Sequence, residues 1–354
     1  MKMRISKVNF TILIVVLLAV LSATTVFYLK VRSGDLSIDS ITEPEKDRRV
    51  PSINGTLVDA EIAEKRPIAV MIENHPDARP QSGLAQADII YEALAEGGIT
   101  RFMAVYHSQE AESIGPIRSA RDYYADIANE LSALYAHVGG SDEVLQKISN
   151  GYYKKLTDLN EFYNGDYFTR IKSRSAPHNT YASTEKLRSY LENKDLITKA
   201  DLHRRPFNDY FGPEGQLADT ISIDFSTPSY KVGYTYNKTT NAYLRNHNGK
   251  NHSDASSSQI LEAKNIIIQY VKSAPIPGDD KFRIDVDTKS GGKALVFRGG
   301  KVISGAWKIV DGATQFVDDS GNEIELYRGS TWIELVPLST PNLVTWKDTL
   351  PKTE

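Results

Sequence analysis

Cysteine is absent from the 354 residues. That excludes disulfides, thiolate metal sites, cysteine nucleophiles and a lipid carried on an N-terminal cysteine. An excess of either charge is also lacking. Lys and Arg number 42 and Asp and Glu 45, a net charge of −3, so no broad basic face is implied and nucleic acid is not an expected partner. No G-x-x-x-x-G-K-[ST] or G-x-G-x-x-G loop, H-E-x-x-H helix or G-x-S-x-G elbow occurs. Readings as a nucleotide fold, zinc hydrolase or serine hydrolase therefore lack motif support, and no cofactor or metal is expected.

What is present begins with Phe10–Leu29, an uncharged, mostly apolar run of 20 residues. It is long enough to span a bilayer as a helix, and no polar face interrupts it at a helical period. Its length favours an uncleaved anchor over a cleaved signal, for which Ser22-Ala23-Thr24 would be a weak cleavage site. Lys2, Arg4 and Lys7 precede it, which predicts a cytoplasmic N-terminus and a single-pass membrane protein whose body lies outside. Lys30 and Arg32 on the far side temper that bias.

The remaining length suits about two ordinary domains. Residues 1–32 read as the anchor and 33–66, polar with Pro44 and Pro51, as a tether. Residues 67–205 alternate strand and helix: apolar runs at Ile68–Ile72, Asp88–Leu94 and Ile99–Tyr106 predict strands covered on both faces. A stripe including Tyr124, Ile127, Ala128 and Leu131 predicts a helix over 119–135. Residues 213–350 carry short strands, a Gly299-Gly300 hairpin signal and all three tryptophans. The expected fold class is α+β: a layered, mixed α/β N-terminal domain, then a mainly antiparallel β domain. Asn246–Ser258 reads as a polar loop.

Charge is concentrated in compact clusters between the buried-looking strands: IENHPDARPQSG (72–83), YEALAEGGITRF (91–102), GPIRSARDYY (115–124) and AHVGGS (136–141). Charges beside such strands must be paired or face a cleft. In GPIRSARD, Ser119 sits where an N-cap belongs and Asp122 resembles a capping box. A helix N-terminus flanked by Arg118 and Arg121 suits a carboxylate or phosphate; equally, both arginines could pair with Glu73, Glu92 or Glu96. In AHVGGS, His137 and Ser141 permit a base and nucleophile, but Ser141 serves as well to cap a helix at Asp142. Arg174 and His178 lie in a proline-containing loop, SRSAPHNTYAS (173–183), as ligand contacts or as turn residues. Glu92, Glu96 and Glu73 could be paired carboxylates. His75, His137 and His178 lack the close spacing of a metal site. Trp307 and Trp332 could stack on sugars, although a tryptophan in a small β core is commoner.

The run ENHPDARPQSGLAQADIIYEALAEGGITRF, followed by IGPIRSARDYY, HVGGS and RSAPHNTY, resembles the YerB-like family, a bacterial domain-of-unknown-function family associated with envelope lipoproteins. NAYLRNHNG, AKNIIIQY, GGKALVFRGGKVISGAW and YRGSTWIELVP resemble that family's C-terminal domain, so the resemblance extends from Pro67 to Pro337. It implies a two-part body outside the membrane and no assigned activity. The chain departs from lipid-anchored members in lacking the cysteine that follows their signal; anchoring by Phe10–Leu29 is the implied replacement.

Three functions remain open. The first is an outside binding protein that holds an anionic ligand or envelope component at Arg79, Arg101, Arg118, Ser119, Arg121, Arg174 and His178. The second is a cell-wall glycan or peptide hydrolase in which Glu92 or Glu96 is acid or base and His137 or His178 assists. The third is an assembly protein whose β domain docks a membrane protein partner.

Overall fold

The apolar N-terminal run forms one helix, α1 (Lys7–Arg32). Its Val15–Arg32 stretch has a mean hydropathy of 1.7 and is long and apolar enough to cross a membrane. This computed structural model describes residues 7–33, 49–196, 199–200, 202–209 and 215–348. The tether expected over 33–66 lies partly outside them. α1 belongs to one compact unit and residues 49–354 to another.

Ordered structure in the body begins ahead of the expected start at Pro67. Val50–Pro51 pairs with Leu57–Val58. Between them Ser52 Oγ donates to Asn54 Oδ1 at 2.6 Å, both residues being buried, and the Ile53 amide donates to His107 Nδ1 at 3.3 Å. A stretch without amphipathic period is thus held by satisfied polar groups together with a few apolar contacts, Ile53 packing on the core and Val58 and Ala63 buried.

Strands β1 (Ile68–Glu73), β2 (Ile89–Leu94) and β3 (Thr100–Tyr106) form where continuous apolar runs predicted them. Every residue of β1 and β3 is buried. Then come α2 (Asp122–Glu130), β4 (Leu134–His137), α3 (Asp142–Ser149), β5 (Thr157–Asn160) and α4 (Thr184–Asn193). The helix expected over 119–135 is shorter at both ends. Its first residues are drawn into extended pairing: Arg118 N donates to Met71 O, Val138 N to Arg118 O, and Ala120 N to Gly139 O. Leu134 and Tyr135 belong to β4, where the apolar stripe changes period.

The second half supplies β6 (Thr220–Asp224), β7 (Lys231–Asn237), β8 (Ala242–His247), β9 (Asn265–Val271), β10 (Gly292–Arg298), β11 (Lys301–Val310), β12 (Ala313–Val317), β13 (Thr331–Pro337) and β14 (Val344–Lys347). Gly299 and Gly300, at φ +58° and +74°, turn β10 into β11, a geometry that favours glycine at both positions.

Eleven strands make one mixed sheet, in the order Gln216–Leu217, β11, β10, β9, β13, β2, β3, β1, β4, β5, with β12 attached to β11. β13 pairs in parallel with β2, Thr331 opposite Ile89 through Leu335 opposite Ala93. The two sequence halves are therefore joined edge to edge through the middle of a single sheet. A six-stranded antiparallel sheet contains Lys250–Asn251, β8, β7, β6 and β14, with Glu262–Ala263 beside β8. Its Ile221, Tyr234 and Tyr243 share a core with Ile90, Phe102, Ile268 and Trp332 of the large sheet. Met71, Met103 and Ile333 share a second core with Tyr124, Ile127 and Ala128 of α2. The body is thus mostly β, with mixed and antiparallel sheets and a few helices, rather than an evident α/β domain followed by a β domain.

The shared sheet predicts one cooperative unfolding transition. Tryptophan fluorescence reports only the second half, where Trp307, Trp332 and Trp346 lie, whereas far-UV circular dichroism reports the whole body. Their urea midpoints are expected to coincide, and Trp332→Ala, which empties a fully buried site, should lower both together, with a loss of about 3–5 kcal/mol in unfolding free energy. Separate midpoints would show two independent halves.

Candidate functional site

The in-register pairing of β13 with β2 sets Glu334 beside Glu92. Both are fully buried, and Arg245 of β8, equally buried, reaches between them. Arg245 Nη1 donates to Glu334 Oε1 at 2.9 Å, and Nη2 bonds Glu92. Tyr234 bonds both Arg245 and Glu334. The guanidinium lies 3.9 Å from the centre of the Trp332 ring, a favourable cation–π approach. Burial opposes the charge on Arg245, but Glu92, Tyr234 and Glu334 outweigh it and raise its pKa.

Two carboxylates around one guanidinium leave a negative charge in excess. Burial and the neighbouring Glu92 push the Glu334 carboxyl up to about 8. Its Oε2 has no other hydrogen-bond partner among the described residues, so a proton there bonds toward Glu92 and neutralises the excess.

Hydrogen bonds lead outward from this knot. Arg245 Nε donates to His252 Nδ1 at 3.2 Å, and His252 Nε2 donates to Gln81 Oε1 at 2.9 Å. Burial, with Arg245 and Arg79 nearby, holds the His252 pKa well down, and its two bonds fix the Nε2–H tautomer. Gln81 Nε2 and Arg79 Nε both donate to Asn74 Oδ1 at 2.9 Å.

Arg79 is where the network meets solvent. Its guanidinium also donates to Asn74 O at 2.9 Å and Ser229 O at 2.8 Å. These acceptors are neutral, and no carboxylate lies within ion-pairing distance among the described residues. Three of five N–H groups are used. Arg79 borders a cleft of about 560 Å³ with Pro80, Pro228, Ser229, His247, Asn248, Lys250, Asn251, His252 and Ser253. The lining has two cations and no carboxylate. Both ring nitrogens of His247 are buried without a hydrogen-bond partner among the described residues. Burial first, then His252, Arg245 and Arg79, keep that ring neutral.

The other expected site residues are distributed more widely. Glu96 binds Arg101 Nη2 at 2.6 Å and Arg121 Nε at 3.1 Å. Burial alone would raise the Glu96 pKa, but the two arginines bring it down to about 2. Arg101 also donates to Ser119 O at 3.1 Å. Arg121 faces a second cleft of about 630 Å³ that also has Asp122, Asp142, Glu143, Arg283 and Asp285 on its walls; acids there outnumber the bases. Ser119 does not cap α2: the N-cap position is Arg121, without a capping side chain, because Ser119 is held in the extended stretch. Arg118 Nε is 2.5 Å from Glu73 Oε2, and His178 Nδ1 is 3.8 Å from the same oxygen. Arg174 donates to the carbonyls of Asp77 and Pro80.

His137 is fully buried, with Nδ1 2.7 Å from Gly139 O and Nε2 2.8 Å from Asp158 Oδ1. Ser141 caps α3 by accepting from Val144 N at 3.5 Å. Gly140 lies against Val144 and Ala120, where a Cβ would come within 2.9 Å, so this glycine serves packing rather than ligand approach. Trp307 and Trp332 are core residues. Arg245, His247, Lys250, His252 and Glu334 were not singled out from sequence. The nearest signal was the polar stretch NHNGKNH, a histidine on each side of a turn.

Glu334 carries a pH signature. Folded, it keeps its proton to about pH 8; unfolded, it releases it near 4.5. The folded state binds more protons across that window, so stability falls as pH rises through it. Glu334→Gln mimics the protonated acid and should remove this decline, on the order of 2–4 kcal/mol between pH 5 and 8, as read by denaturant melts at both pH values. Glu96 acts oppositely: its contribution is present above 4.5 and lost as pH falls toward 2. Arg245→Met should cost about 3–5 kcal/mol at pH 7 by leaving Glu92 buried and unpaired.

Comparisons with known proteins place the chain. Residues 53–197 match the N-terminal domain, and 221–333 the C-terminal domain, of a protein of unknown function, DUF3048. The chain is 34% identical over 301 residues to the "Putative lipoprotein YerB" of Bacillus subtilis (strain 168), spanning 84% of this chain and 89% of that one. A crystal structure of the YerB protein from Bacillus subtilis aligns with a TM-score of 0.75 at 32% identity, covering 85% of this chain and 99% of the other. With both domain matches in order and a full-length relative, this chain belongs to the DUF3048 family, as the YerB-like motifs implied.

Proposed function

We propose that this is a membrane-associated, extracytoplasmic binding protein whose cleft beside Arg79 takes an anionic group of an envelope component or small ligand. The observation that carries the reading is Arg79 itself: half-buried, bonded only to neutral acceptors, and opening on a lining with Lys250 and no carboxylate. An oxyanion there would take up the two remaining guanidinium N–H groups and the N–H of His247. Arg101, Arg118 and Arg121, which each bind a glutamate, contribute less to this reading. The location rests on the apolar α1, the basic residues before it, and a relative described as a lipoprotein. Since cysteine is absent, we take α1 itself as the single-pass anchor.

The hydrolase reading draws less from the geometry. Glu92 is enclosed by Arg245, and Glu96 holds no proton to donate at neutral pH. The docking reading draws on Leu217, Ile260, Phe282, Ile309 and Leu338, large apolar residues of the second half exposed on five different chain segments among the described residues.

Calorimetric titration of the full chain in detergent with inorganic phosphate and with citrate tests the proposal. Saturable binding of one or both is expected, weakened at least ten-fold, or by about 1.5–3 kcal/mol, in Arg79→Gln. Lys250→Gln, on an exposed position, should weaken it without altering the melt. Arg121→Gln should leave it unchanged. Binding indifferent to both Arg79→Gln and Lys250→Gln, or no binding of either anion, would overturn it.

A further inference from the structure

Two loops that are distant in sequence bring His75, Asp77 and His178 together; none of the three lines the Arg79 cleft. One ligand atom from each lies within 4.8 Å of the other two. We propose that these three residues form a binding site for a borderline divalent transition metal of the zinc type.

The donor set is two imidazoles and one carboxylate, which suits zinc and its neighbours and not calcium or magnesium, both of which prefer all-oxygen shells. The loops are held in place before any ion arrives. His75 caps a 3-10 turn, Pro76–Ala78, accepting from Asp77 N at 3.3 Å. Arg174 ties that turn to the second loop through Asp77 O at 3.1 Å and Pro80 O at 2.8 Å. The two imidazoles stack with centroids 5.5 Å apart and planes 16° apart.

A second observation points the same way. The buried Nδ1 of His178 has no hydrogen-bond partner among the described residues, and it faces the Glu73 carboxylate at 3.8 Å. Glu73 is itself almost fully buried and is anchored by Arg118. Metal-bound histidines commonly turn their other ring N–H toward a carboxylate, which sets the tautomer and strengthens the ligand. Glu73 is placed to do this, leaving Nε2 of His178 for the metal. A tetrahedral shell with bonds of about 2.1 Å needs donor atoms roughly 3.4 Å apart, so the site must tighten. Asp77, whose side chain is 76% exposed, can swing in without moving buried atoms. Its exposure also leaves a coordination position open to water.

Full-length protein in detergent, stripped with chelator, can be titrated with Zn²⁺ by calorimetry and with Co²⁺ by visible absorption. One equivalent should bind, raise the melting temperature, and give a cobalt spectrum with nitrogen ligation. Asp77→Asn and His75→Asn, both outside the core, should each weaken binding at least ten-fold while keeping the metal-free melt; Glu73→Gln should weaken it about 10- to 100-fold. His203→Gln, at a distant surface histidine paired with Glu323, should change nothing. No saturable binding by the parent protein, or binding that persists unchanged in Asp77→Asn and His75→Asn, would overturn the site.

Discussion

The structure depends on one buried charge. Arg245 projects from the smaller sheet into the larger and is met by two glutamates on adjacent parallel strands, one from each half of the chain. An ion at full burial is tolerated only when its partners are complete. Here completeness requires Glu92 from the first half, Glu334 from the last long strand and Tyr234 from the hairpin partner, in register together. A one-residue slip of β13 against β2 would turn Glu334 to the opposite face. The knot thus discriminates among pairings of strands that, being uniformly apolar, would otherwise specify their register weakly.

The same knot organises the surface. His252, Gln81 and Asn74 carry hydrogen bonds from Arg245 to Arg79, so the solvent-facing guanidinium is oriented by groups with no other freedom. The two arginines differ in one respect that underlies the proposed binding role. Arg245 has all its charge met inside the protein; Arg79 is bonded by carbonyl and amide oxygens, which orient it without neutralising it. Orientation of an uncompensated cation is the property expected of an anion-binding group.

Much of the secondary structure was legible because burial on both faces leaves a plain mark: IAVMI is a continuous apolar run and forms most of β1. Local polar chemistry was legible too, as at Ser141, which caps the helix that follows. The helix at 119–135 was overextended because Leu134 and Tyr135 keep a helical spacing while belonging to a strand. The candidate site was legible only in part. Charge clusters marked Glu92, Arg79 and Glu96; Glu96 meets Arg101 and Arg121 from the same clusters, but Glu92 and Arg79 depend on partners more than 100 residues away, Arg245 and Ser229. Likewise, His75 and Asp77 meet His178 only through the folding of separate loops, so no ligand spacing could show it.

The parallel contact of β13 with β2 also has a bearing on biogenesis. β2 is made early and its final neighbour comes from 331–337, close to the end of the chain. Until that segment emerges, β2 presents an open strand edge and the arginine that meets Glu92 lacks its second carboxylate, Glu334. A nascent chain therefore carries an open edge at the centre of its largest sheet until that strand arrives, and whatever shields the edge in the interval guards the chain against aggregation.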